Sequence, residues 1–93
     1  MTVVLDNEVA RLRWRCRRGL LELDLVFNDF VDRRYRSLNP ELQQAFWDLL
    51  EEGDNPILAW LHGTDSCEDS NLMQIINIIR EDIDYKDKKI EFT

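Results

Sequence analysis

Apolar residues recur at intervals of three and four along nearly the whole chain, and short breaks at glycine, asparagine and proline divide them. That rhythm restricts the fold more than any other feature. An interval of three to four is the repeat of a helix with one buried side, whereas a half-buried strand alternates. The clearest case is Leu42, Ala45, Phe46, Leu49 and Leu50, which fill positions i, i+3, i+4, i+7 and i+8. Asn39 and Pro40 precede them as a cap and a first helical residue, and Gly53 is expected to stop the helix.

The same reading divides the rest. Leu5, Val9, Leu12 and Cys16 make a narrow stripe on a first helix, which Asp6 or Asn7 can cap. Gly19 is expected to close that helix in the left-handed conformation, with Arg17 and Arg18 suiting its negative end. A second helix is expected over 20–35, with Leu20, Leu23, Phe27, Phe30 and Val31 on one side and Glu22, Asp29 and Asp32 towards the other. A short fourth helix follows, with Asp54 as cap and Gly63 as terminator. After a polar turn at 64–67, Ser66 and Asp69 resemble a capping pair for a fifth helix. Its buried side is Leu72, Ile75, Ile76, Ile79 and Ile83. The isoleucines alone would suit a strand over 75–79, but length and period favour a helix. The predicted fold is all-α: one compact domain over 1–93, a bundle of about five short helices, with flexible ends at 1–6 and 84–93. Phe27, Phe30, Phe46, Leu49, Leu50 and Trp60 are expected in the core, and Trp47, off the main stripe, either at its boundary or as a second partner contact.

Composition excludes several functions. No apolar run approaches the ~20 residues of a membrane span. The start of the chain lacks a basic, then apolar, secretory pattern and carries Asp6 and Glu8 early, so cytoplasmic residence is expected. Cys16 and Cys67 stand far apart with no C-x-x-C, and His62 is the single histidine. A zinc site needs about four nitrogen or sulfur ligands, which this set does not supply. Two free structural thiols and a helix-end histidine are the expected roles.

Charge is polarised. Residues 1–37 hold eight arginines against six acids, for +2, whereas 38–93 hold four basic residues against thirteen acids, for −9. Five of the arginines fall within 11–18: Arg11, Arg13, Arg15, Arg17 and Arg18. On a helical wheel, Trp14 lies roughly 180° from the buried stripe, with Arg11 and Arg18 beside it. Tryptophan and arginine are the side chains most enriched at interface hot spots. The cluster can be a solvated face, a phosphate-binding patch of a small nucleic-acid-binding or antitoxin-type regulator, or a docking surface for a protein. The acidic later helices oppose a nucleic-acid backbone approaching from most directions.

Arg18, Gly19 and Glu22 spell R-G-x-x-E inside "RLRWRCRRGLLELD", residues 11–24. Read structurally, Gly19 ends one helix, Glu22 sits in the first turn of the next, and Arg18 reaches Glu22. The segment also resembles the signature of the SdhE family of FAD assembly factors, and "FWDLLEEGDNPILAWL", residues 46–61, is similar to that family's second pattern. Leu20 stands where the family more often has methionine. The resemblance covers roughly residues 8–83 and implies a non-enzymatic accessory factor. Such a factor binds the flavoprotein subunit of succinate dehydrogenase, or of fumarate reductase, and promotes covalent attachment of FAD to a histidine there. It implies that Arg18, Gly19 and Glu22 meet the partner, with Trp14, Arg17, Arg11 and Asp24 as adjacent candidates. FAD then belongs to the partner and is not held stably by this chain. No nucleic acid and no membrane insertion are implied, and a monomer is expected when free.

Overall fold

The computed structural model describes the backbone of residues 6–89 and the side chains of residues 7–83. It contains α1 (Asp6–Arg15), α2 (Leu21–Arg33), α3 (Pro40–Leu49), α4 (Asp54–His62) and α5 (Ser70–Lys89), with a 3-10 turn over Tyr35–Ser37. The all-α bundle is borne out, and the isoleucine run lies in a helix. Asn7, one of the two expected caps of α1, lies inside that helix, which runs from Asp6; the side chain of Asp6, the place of Leu5 in the stripe, residues 1–5, and the side chains of 84–93 lie outside the described residues.

Phe46 is the hub of the core. Its ring meets Phe27 edge-on at 5.8 Å, Phe30 at 5.4 Å and Tyr35 at 5.8 Å between centroids. Such aromatic pairs add to the burial of apolar area. α5 closes the other side with Leu72, Ile75, Ile76 and Ile79 and packs against α2, α3 and α4. All six expected core residues are buried. The thin stripe of α1 is reinforced by polar ties. Trp47 Nε1–H donates to Tyr35 Oη at 2.9 Å, and that hydroxyl donates to Glu8 at 2.7 Å. Arg13 pairs with Asp32, and Arg15 with Glu51.

The helix ends depart from expectation in four places. Asn39 caps α3 as expected, accepting from the Leu42 N–H at 2.8 Å, but α3 stops at Leu49 and Gly53 serves as the N-cap of α4. Asp69 caps α5 by accepting from the Asn71 and Leu72 N–H groups, while the Ser66 N–H turns to Asp65. Gly63 ends α4 with φ 77°, in the left-handed region that glycine enters at no steric cost. Gly19 does not: Gly63 alone has positive φ among the described residues. Finally, α2 ends at Arg33, and Tyr35 is buried from the 3-10 turn instead.

Candidate protein-docking site

Residues 16–20 join α1 to α2 without regular structure, yet they are firmly held. The reason is the turn between α3 and α4, more than thirty residues later. A helix leaves its last carbonyls without partners, and a cation there satisfies them and the negative end of the dipole. Arg18 does this from a distance. Its Nη1 donates to the Leu50 carbonyl at 2.9 Å and its Nη2 to that of Glu52, while Nε donates to Asp54 Oδ1 at 2.7 Å. The other oxygen of Asp54 accepts from the Gly19 N–H at 3.0 Å. Asp24 accepts from the Arg18 N–H at 3.4 Å. Arg18 beside Asp54 holds that carboxyl below its ordinary range, helped by the backbone N–H groups of Gly19 and Leu20. Asp54 was expected as a cap of α4; it is instead the bridge between turn and junction.

Gly19 permits a close approach. A Cβ built there would lie 3.3 Å from Asp54 Oδ2, tighter than ordinary contact. The glycine therefore lets the carboxylate reach the backbone N–H, and any side chain would press on that bond. The expected Arg18–Glu22 pair does not form. Arg18 is spent on Asp54, and Glu22 faces His62 Nε2 at 3.3 Å, with both of those side chains more than half exposed.

Polarity around this junction is inverted. The arginine is turned in, and large apolar side chains are turned out. Trp14, Leu20, Leu21 and Leu25 are the exposed large apolar residues among those described, and they all fall within residues 14–25. Trp14 is 70% exposed, opposite the buried stripe as the wheel predicts. Its cationic neighbour is Arg17, 5.0 Å from the ring centroid, and not the expected Arg11 and Arg18. Arg11 lies 5.9 Å over Trp47. Leu20 was expected in the core and is exposed instead, because α2 begins only at Leu21. Leu21 and Leu25, 70% and 62% exposed, were missed by the sequence reading. Their i, i+4 spacing on the pole of α2 opposite Leu23, Phe27 and Phe30 was the available signal.

The arginine cluster is thus dispersed. Three of its members are tied to Asp32, Glu51 and Asp54, and two lie over indole rings. Both cysteines are free. Burial pushes the Cys16 thiol up to about 12, which keeps it un-ionised and inert.

Residues 10–83 match the family described as flavinator of succinate dehydrogenase. The chain belongs to that family. Relatives named FAD assembly factor SdhE include one from Idiomarina loihiensis, 44% identical over 73 residues, covering 78% of this chain and 81% of that protein. One from Shewanella oneidensis is 43% identical over 72 residues, covering 77% and 88%. Another from Legionella pneumophila is 42% identical over 77 residues, covering 82% and 96%. The flavinator match spans both the R-G-x-x-E junction and the turn after α3, the two segments that Asp54 joins. A groove of about 670 Å³ between α1 and α3 presents Glu8, Asp48 and Glu51 against Arg11, so a diphosphate there would meet three carboxylates. No three His, Cys, Asp or Glu side chains among the described residues are grouped to hold a metal, and no helix there is long and apolar enough to cross a membrane.

Proposed function

We propose that this chain docks, as a monomer in the cytoplasm, on the flavoprotein subunit of succinate dehydrogenase and promotes covalent attachment of FAD to it. The flavoprotein subunit of fumarate reductase is a second client of the same surface. Family membership supplies the client class. The observation that carries the surface is the clustering of every exposed large apolar side chain among the described residues around Gly19 and Glu22. Trp14, Leu21 and Leu25 supply area, Arg17 and Arg11 supply charge at the indoles, and Glu22 marks the rim. Arg18, Gly19 and Asp24 act as positioning residues: Arg18 and Gly19 hold the junction in shape through Asp54, and Asp24 through the Arg18 N–H.

The bond-making chemistry remains with the client and its flavin. A helper without reactive groups accelerates such a step by favouring the client conformation that aligns flavin and histidine. The shift it can produce equals its differential affinity for that conformation. The test is complementation in cells lacking the factor, with covalently bound flavin read as fluorescence on a denaturing gel. Gly19→Arg and Glu22→Ala are expected to yield folded protein and little flavinylated subunit. Normal flavinylation with both variants overturns this site.

A further inference from the structure

Glu22 and His62 stand at the rim of a depression between α2, α4 and α5. Its walls are Leu23, Val26, Leu58, Leu61 and Ile83, and its volume is about 250 Å³. That is below the ~300–1,000 Å³ typical of small-molecule sites but ample for one side chain. The walls are apolar, and Glu22 is the one carboxylate among the described residues that line it. Docking of a client over residues 14–25 would strip water from Glu22. A carboxylate that loses its water needs a counter-charge, and the 3.3 Å contact to His62 Nε2 supplies one only while that ring is protonated, whereas a guanidinium is always charged.

We infer that this depression is a socket for one arginine side chain of the flavoprotein client, resting on the docking surface proposed above. The aliphatic stem lies along Leu58, Leu61 and Ile83. The guanidinium meets the Glu22 carboxylate in paired hydrogen bonds, the geometry that favours arginine over lysine. His62 steadies the carboxylate in the free protein. An aromatic side chain would fill the walls equally well but leave Glu22 desolvated and unpaired.

The test measures affinity of the purified chain for the purified flavoprotein subunit by titration calorimetry. Glu22→Gln is expected to weaken binding about 30-fold or more, the usual cost of removing one partner of a covered charge pair. His62→Lys, at an exposed position, places the chain's own cation beside Glu22 and is expected to weaken binding about as much. Leu58→Trp fills the socket and is expected to do the same if circular dichroism shows the fold intact; His62→Lys carries the test if it does not. Raising salt from about 50 to 500 mM should weaken the wild type more than Glu22→Gln, since one screened pair is gone. Wild-type affinity in both Glu22→Gln and His62→Lys overturns the arginine. Loss in Glu22→Gln with wild-type affinity in His62→Lys and a folded Leu58→Trp overturns the socket. Absence of binding by the unaltered chain overturns the docking surface itself, a separate failure.

Discussion

Around Phe46 the molecule obeys the ordinary rule, with rings and aliphatic side chains inside and charge outside; at the α1–α2 junction that order is turned over. Arg18 is sunk between two helix ends, while Trp14 and Leu21 face water. The first region explains why the chain folds. The second does not serve folding: solvent-facing apolar area has no folding benefit, and the buried arginine fixes the backbone that displays it, as expected of the docking surface proposed above. The contrast separates residues whose loss unfolds the protein from residues whose loss disarms it.

The largest effect should come from breaking the first region. Phe46→Ala removes the ring that Phe27, Phe30 and Tyr35 share and should cost about 3–5 kcal/mol of stability, read by urea denaturation. Any lost flavinylation should then track the unfolded fraction. Arg18→Ala should cost about 2–3 kcal/mol, because it strands the carbonyls of Leu50 and Glu52. It should also weaken client binding in conditions where the protein stays folded, which Phe46→Ala should not. Acid acts on the same tie. The native carboxyl of Asp54 titrates below its ordinary 3.8, so its contribution is fully present above that pH and is lost as pH falls through the lowered native value. Wild type should therefore lose more stability than Asp54→Asn below about pH 4, checked by thermal melts across pH. The smallest effect on stability, within about 0.5 kcal/mol, is expected for the double change Leu21→Ser with Leu25→Ser, since both are exposed. Yet that variant should lose most of its affinity for the flavoprotein subunit. A large loss of stability there would erase the contrast.

What was legible in the sequence follows the same division. The stripe from Leu42 to Leu50 and the Asn39-Pro40 start express local geometry, so spacing alone placed them. Trp14 was placed by the same wheel, because α1 is regular up to Arg15. The junction was misread because its shape comes from Asp54, 36 positions after Arg18, and no periodicity links such residues. Gly19 was assigned the commonest role of a glycine after a helix, when the decisive fact was a carboxylate 3.3 Å from its missing Cβ. Leu20 was assigned to the core by counting back along a helix that starts one residue later. Leu21 and Leu25 escaped notice because an amphipathic reading looks for one apolar face, and α2 has two. The resemblance to a known family reached further than physics did, since it paired the two segments that touch without saying why.

The Asp54 bridge sets the smallest piece that could be transplanted. Residues 11–25 grafted alone onto another pair of helices would carry the letters of the motif but none of its form. A working transplant must bring the bend at 50–54 along with it, as two strips of one mould.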